Sequence, residues 1–354
     1  MKERNEALDI AKGIGIILMV IGHSGCPKYL HDFIYMFHMP LFFVCSGYFY
    51  KHITTRNELI RCWKKRFRGL YLPYIKWSLA FLFLHNIFYH LNIYSDEYGY
   101  QGTTSSLYNT SDIIERLKCI LLYMNGHEDL LGGFWFLKAL LLSTLAFSMI
   151  DFLLSRWKNL IAKYTTIFLF LLIATIITQY TDIRFWIFGS FFQISYGCLF
   201  FFTGYLLHQY GHLLRINGAF PNILMFIIVG IGALLIPSEM ILVNTIQVIP
   251  YFIIATLGSI LTINTASYLS RKDLGKKLSI IGKTTMSILA LHFLSFKIVS
   301  LIKIYIYDLP SKMLSCFPII EEHNKYFWPL YTVIGVCIPL IVQRLYEKLV
   351  KVKK

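Results

Sequence analysis

Long apolar stretches separated by short polar segments dominate this chain of 354 residues. Ten of the stretches approach or exceed the roughly 20 residues that an α-helix needs to cross about 30 Å of hydrocarbon. They lie near 8–24, 33–50, 70–91, 133–154, 164–181, 185–207, 219–236, 240–266, 284–306 and 327–346. The pattern predicts an all-α, polytopic integral membrane protein with about ten transmembrane helices.

The composition favours the same class of protein. Hydrophobic residues make up 56% of the chain and charged residues 15%, which is too little charge to cover a soluble domain of this length. No internal repeat and no linker long enough to separate domains is visible, so we expect a single transmembrane domain over 1–354 without an appended soluble domain. The seven cysteines show no metal-binding spacing, and we expect no metal.

The positive charges concentrate in alternate connecting segments. If the N-terminus lies inside, the inner segments hold 23 of the 34 Lys and Arg residues and the outer segments hold 6. Because Lys and Arg accumulate on the cytoplasmic side of a membrane, this bias predicts that both termini are cytoplasmic. It also explains the net charge of +15 without nucleic acid as a partner.

The longest predicted outer loop covers 92–132. It carries six acidic residues, and its segment 113–124 has helical spacing that suits a helix on the membrane surface. Two interpretations stay open for this loop: a solvated connection, or a lid over an outward-facing site.

Ionisable residues enter the first apolar stretch, where a simple anchor would have leucines. His23 follows Lys12 by eleven residues, almost three helical turns, so the two share one face, and Asp9 lies close to that face. Ionisable groups at membrane depth are costly and usually mark function. The alternative is an interfacial ion pair of Asp9 with Lys12 and a helix-end His23 near water.

The densest basic cluster lies between the second and third predicted helices and includes Lys64, Lys65, Arg66 and Arg68. One interpretation is the positive-inside bias together with attraction to anionic lipid. The other is a phosphate clamp, since guanidinium groups match phosphate oxygens with two parallel hydrogen bonds.

Four further side chains carry weaker signals. His38 precedes Pro40 in the second stretch, and it suits either a structural hydrogen bond or direct chemistry. Trp135 and Lys138 begin the fourth stretch, where an aromatic belt with a lysine reaching interfacial water is the favoured interpretation. His292 stands alone inside the ninth stretch, where a histidine is more often structural.

Together these motifs resemble the acyltransferase-3 family, and within it the branch that includes fucose 4-O-acetylase-like proteins. The resemblance rests on five runs in the family's order, and it covers nearly the whole chain. The runs are RNEALDIAKGIGIILMVIGHS (4–24), FHMPLFFVCSGYFY (37–50), RFRGLYLPY (66–74), WFLKAL (135–140) and SILALHF (287–293). The resemblance implies a ten-helix membrane fold and transfer of an acetyl or other acyl group from CoA to a sugar hydroxyl.

The resemblance also implies roles for individual residues. His23 matches the family's essential histidine, as general base or as acyl carrier. Asp9 would pair with Lys12 and position it, although the family commonly has Arg where this chain has Lys12, and Lys lacks the bidentate fork. The phosphates of acetyl-CoA would bind Arg66 and Arg68, with Lys64 and Lys65 beside them. His38 and Trp135 would line the acceptor side, and Lys138 would stabilise developing negative charge.

The resemblance further implies a glycan or lipid-linked sugar as acceptor and the bacterial inner membrane as location. Membrane lipid is expected as a partner, and both a monomer and a homodimer stay open. Acetyl transfer would be direct or through a separate protein. The main rival is a transporter or exporter, since intramembrane charges and glycines also mark substrate paths. Against it stand the absence of a repeated half and the concentration of charges on one helix.

Overall fold

The computed structural model describes residues 5–100, 103–182, 184–185, 189–211 and 218–352. Within them the chain is almost entirely helical, and each of the ten predicted stretches contains an α-helix. The helices are α1 (Glu6–His23), α2 (Lys28–Tyr35), α3 (His38–Tyr48), α4 (Arg56–Arg66), α5 (Leu72–His90), α6 (Thr110–Tyr123), α7 (Trp135–Leu153), α8 (Leu160–Thr181), α9 (Phe191–Tyr210), α10 (Ala219–Leu235), α11 (Val248–Leu269), α12 (Asp273–Lys283), α13 (Thr285–Tyr307) and α14 (Trp328–Val352).

Five of the described helical segments are long and apolar enough to cross a membrane. They are Asp129–Leu153, Leu160–Thr181, Thr245–Leu269, Thr285–Tyr307 and Trp328–Val350. The all-helical membrane architecture is therefore confirmed, whereas the count of ten crossings and the cytoplasmic termini stay predictions.

The second predicted helix, 33–50, is wrong as a single element. The chain instead forms α2 and α3, with a turn at residues 36–37 between them. Pro40 is the third residue of α3, and proline is tolerated in a first helical turn because the N–H that it lacks would have no partner there. The proline therefore lies near a helix start, where no kink of a longer helix is needed.

The sixth and third predicted stretches do not begin with the α-helix that the pattern predicted. Residues 184–185 (β1) and 189–190 (β2) pair as a short antiparallel hairpin, and α9 begins only at Phe191. The third stretch opens with a π-helical turn, Phe67–Tyr71, between α4 and α5. Such turns are rare and frequent at functional sites, and this one contains Arg68.

The described chain separates into two compact units, the first made of 1–15, 32–72 and 136–280. In this unit α3 packs directly on α9. A side chain on Gly47 would overlap the carbonyl group of Phe201, and a side chain on Gly204 would overlap that of Val44. The two glycines thus let the helix backbones touch, as small residues do between membrane helices.

A buried carboxylate organises the residues before α4 in the same unit. Asp151, 2% exposed, accepts hydrogen bonds from the Tyr50 hydroxyl (2.9 Å), the His52 Nδ1 (2.8 Å) and the Ile53 N–H (3.0 Å). It also forms a 2.9 Å ion pair with Lys163, which is 1% exposed. We call Asp151 and these four partners the Asp151 hub.

The second unit comprises 16–31, 73–135 and 281–354. Two buried lysines of α13 fasten the segment that follows it. Lys297 donates to the carbonyls of Leu314 (2.9 Å) and Cys316 (2.8 Å), and Lys303 donates to that of Ile320 (2.6 Å). Each ammonium thereby replaces water with backbone oxygens, which is how a buried charge becomes tolerable.

The predicted loop 92–132 contains α6, and its helical segment is confirmed. Asn109 and Asp112 cap the start of α6 reciprocally. Before α6, His85 is stacked on Tyr108 with ring centroids 3.4 Å apart, and its Nδ1 lies 2.8 Å from Glu128. The loop is thus held by a buried polar network, which favours ordered structure over a loose connection.

Candidate functional site

The basic cluster lies on α4, a helix with a well-formed start. The Thr55 hydroxyl accepts from the Glu58 N–H, while the N–H groups of Thr54 and Thr55 donate to the Glu58 carboxylate. These backbone donors lower the pKa of Glu58 to about 2. The cap fixes where α4 begins and hence which of its later side chains share a face.

Four cations of α4 and the following π-turn line one exposed cleft. The lining residues, spaced three or four apart, are Asn57, Ile60, Arg61, Lys64, Lys65 and Arg68. The spacing brings them to one side of the helix. The structure therefore places Lys64, Lys65 and Arg68 together, as a phosphate clamp requires, and adds Arg61, which the sequence reasoning had not selected.

Arg66 lies apart from that cleft. Its Nη2 donates to the carbonyl of Ser46 (3.4 Å), and its guanidinium carbon lies 5.8 Å from the centroid of the Phe201 ring. It thus packs toward α3 and α9, whereas Arg68 is exposed. The two arginines that the sequence grouped together have different surroundings.

Helix α1 carries the predicted ionisable face without interruption. Asp9 is 3% exposed, and the Lys12 ammonium lies 5.0 Å from the centroid of the Phe49 ring. His23 is the last residue of α1, about 16 Å further along the axis at 1.5 Å per residue. The roles predicted for Asp9 and Lys12 stay predictions.

His23 is partly exposed and lies against α13. The centroid of its ring is 5.6 Å from that of His292 and 4.9 Å from that of Phe293. His292 is fully buried, and its Nδ1 lies 3.0 Å from the Ile288 carbonyl oxygen and 3.1 Å from that of Leu289. Its Nε2 is buried with no hydrogen-bond partner in the described part of the chain.

The segment after α13 covers the end of α1. The Asn324 side-chain amide donates to the carbonyls of Ser24 (3.1 Å) and Gly25 (2.9 Å). Gly25 has φ of +71°, a conformation that favours glycine. Phe317, in the same segment after α13, packs on Phe293, with the two ring centroids 4.5 Å apart. The residues that directly follow His23 are therefore fixed by hydrogen bonds to Asn324.

The three predicted acceptor-side residues have separate environments. His38 is 2% exposed, with its Nδ1 3.0 Å from the Ile34 carbonyl oxygen, so at least one ring nitrogen has a structural role. Trp135 is the half-buried first residue of α7. The Lys138 ammonium is buried and has no hydrogen-bond partner among the described residues. The interpretation of Lys138 as a lysine that reaches interfacial water is therefore wrong.

Sequence reasoning missed the proximity of His292 to His23. The two histidines are separated by more than 260 positions, and only the packing of α13 against the end of α1 brings them together. The available signal was the residue type itself, because an imidazole within a membrane helix is costly unless it is used.

Comparison with known proteins identifies the family of this chain. A family model described as an acyltransferase domain (acyltransferase 3) matches residues 5–344. Nodulation protein NolL of Sinorhizobium fredii (strain NBRC 101917 / NGR234) is 30% identical over 169 residues, which cover 44% of this chain and 39% of that protein. The match thus spans well under half of the relative's length. No solved structure matches the chain. The match over nearly the whole chain, together with the apolar helices, shows that this protein belongs to the acyltransferase-3 family and is a membrane acyltransferase.

Proposed function

We propose that the protein transfers an acetyl group from cytoplasmic acetyl-CoA to a hydroxyl group of a cell-surface or lipid-linked sugar. The observation that carries the proposal is the position of His23. It offers a partly exposed imidazole at the end of α1, against a second imidazole, in a chain of an acyltransferase family. Imidazole is the side chain best suited to take and return a proton near neutral pH.

The exposed cleft on α4 is the proposed donor site. Acetyl-CoA carries several phosphates, and the cleft presents Arg61, Lys64, Lys65 and Arg68 on one face. Arginine binds phosphate with two parallel hydrogen bonds and lysine binds it as a point charge. Arg66, which packs inward, would support the cleft by positioning α4 and would contact the donor little.

The proposed reaction needs one base. His23 accepts the proton of the acceptor hydroxyl as the hydroxyl oxygen bonds to the thioester carbonyl carbon. The carbon–sulfur bond then breaks, the acetyl ester stays on the sugar, and the CoA thiolate takes the proton from His23. For Lys138 the resemblance suggests stabilisation of negative charge on the carbonyl oxygen, and a buried ammonium suits that role.

The acceptor and the location rest on the sequence resemblance. The fucose 4-O-acetylase-like branch suggests a sugar hydroxyl and the bacterial inner membrane. The name of the relative ties that protein to nodulation and says nothing of the acceptor of this chain. The proposed acceptor is therefore defined by its chemical class, a sugar hydroxyl on the outer side of the membrane.

The test uses purified protein in detergent with acetyl-CoA labelled in the acetyl group. Binding and slow release of acetate are compared in wild type, His23→Ala and Arg68→Ala/Lys64→Ala, with Lys276→Ala as a control at an exposed lysine of α12. We expect His23→Ala to bind the donor without releasing acetate, and the double variant to lose binding. Folded wild type that neither binds nor consumes acetyl-CoA would overturn the proposal and favour a transporter.

A further inference from the structure

The second histidine beside His23 has an arrangement that packing alone does not require. The carbonyl oxygens of Ile288 and Leu289 can only accept hydrogen bonds, so the His292 Nδ1 that faces them carries the proton. In the neutral ring the Nε2 then holds a lone pair and acts as an acceptor. That acceptor is fully buried and has no partner among the described residues.

An unpaired acceptor in a buried site costs free energy, typically about 1–3 kcal/mol. A phenyl ring at position 292, like that of the adjacent Phe293, would fill similar space without this cost. The ring of His23, which contacts that of His292, carries a nitrogen that can serve as the missing donor. The ring centroids are 5.6 Å apart, a separation at which a rotation of the His23 ring can bring one nitrogen of each ring to a hydrogen-bond distance of about 3 Å.

We infer that His292 is a positioning residue for His23, and that its Nε2 accepts the N–H of His23 during the reaction. The inference rests on the proposed function for its chemical meaning. A proton on the His23 nitrogen that faces His292 leaves the lone pair on the other nitrogen, directed away from α13. When His23 takes the hydroxyl proton, both of its nitrogens carry hydrogen, and His292 stabilises the resulting imidazolium. Hydrogen bonds of this kind are often long before substrate binds and shorten afterwards.

Two further titratable groups of the same unit bear on the pair. His31 of α2 acts electrostatically on His23. The next titratable residue of α13, Lys297, directs its ammonium to the carbonyls of Leu314 and Cys316. Among the groups with a described contact to His23, His292 offers an imidazole nitrogen that can accept a hydrogen bond from it.

Three variants test the inference. His292→Phe keeps a ring and removes the acceptor, His292→Gln places a non-titrating oxygen near the former Nε2, and His90→Phe makes the same ring exchange at an exposed position of α5. The first measurement is acetate release from acetyl-CoA across pH. The second is carbethoxylation of His23 by diethyl pyrocarbonate across pH, followed by peptide mass spectrometry. This reagent modifies neutral imidazole and needs no acceptor sugar.

We expect His292→Phe to lower acetate release about 100-fold and to move the midpoint of both pH profiles of His23 to lower pH. Loss of an acceptor disfavours the protonated form of His23, so neutral His23 persists into more acidic solution. His292→Gln should restore most of the rate, and His90→Phe should match wild type.

One outcome would overturn the role of His292, and another would overturn the proposed function. If His292→Phe leaves both midpoints at their wild-type values, His292 is a structural residue and the inference is overturned, whatever happens to the rate. If wild type releases no acetate, the proposed function fails, and the carbethoxylation profile still decides whether the two histidines are coupled.

Discussion

Replacing Asp151 by Asn tests whether the Asp151 hub holds the segment that leads into the basic helix. The substitution keeps the shape of the side chain and removes its charge. Lys163, 1% exposed, then keeps its ammonium with no carboxylate beside it. The Asn oxygen can still accept from some of the other donors, so the main loss is the neutralising charge.

The magnitude follows from burial. Breaking a buried ion pair by removing one partner costs about 3–5 kcal/mol, because the remaining charge is uncompensated. We expect the lower end of this range, about 3 kcal/mol. Lys163 lies in the first turn of α8, and in the variant its side chain can rotate so that the ammonium reaches interfacial water. Lys163→Met should cost less, about 1–1.5 kcal/mol, since Asp151 keeps the donors from Tyr50, His52 and Ile53.

The assay is unfolding in mixed detergent–SDS micelles, followed by tryptophan fluorescence, for the two single variants and the double variant. The double variant should be more stable than the sum of the single losses predicts, because it removes both charges. Asp273→Asn, in an exposed pair with Lys276, should change stability by less than about 0.5 kcal/mol. If Lys163→Met cost as much as Asp151→Asn, or if the two losses simply added, the carboxylate would not be the centre of the hub.

Three shorter predictions follow from the same contacts. Gly47→Val should cost about 3 kcal/mol or more through overpacking between α3 and α9, while Gly69→Val, where a side chain meets no atom within 4 Å, should be tolerated in the same unfolding assay. Lys138→Met should unfold at the same or a higher SDS fraction because it removes a buried ammonium, yet lower acetate release about 100-fold; lower stability with an unchanged rate would contradict this. Arg66→Lys should destabilise the protein with little change in donor affinity, whereas Arg68→Lys should weaken acetyl-CoA binding and leave stability unchanged, as binding and unfolding measured on each variant will show.

The apolar pattern located a helix in each of the ten stretches because a helix in lipid must satisfy its own backbone and carry apolar side chains over most of its length. It did not locate the polar helices α4 and α12. It failed at 33–50, where apolar residues run on through the turn between α2 and α3. Hydrophobicity reports burial in lipid or protein, and a buried turn is as apolar as a buried helix. Pro40 lies in the first turn of α3, where proline suits a helix start.

The burial of individual charges was harder to predict than the helices. Lys163 belonged to an inner connecting segment in the charge count, yet its ammonium is paired with a carboxylate from the preceding helix. Lys297 and Lys303 lie within a predicted helix, and their partners are carbonyl groups about 17–19 residues later in the chain. Such partners depend on how a following segment turns back, which the local sequence pattern does not encode.

The candidate site shows the same division. The family motifs selected His23 and the basic cluster from the chain alone, because they are contiguous runs of residues. The direction of each side chain is not visible in such a run. Arg66 ends α4 and packs against α9, whereas Arg68, two residues later in the π-turn, is exposed to solvent. His292 could not be selected in this way, because the run 287–293 means little by itself. Its proposed role depends on its contact with His23, which only the fold reveals. A histidine pair of this kind links the two ends of the chain, and the chemistry that it permits depends on that packing as much as on either residue.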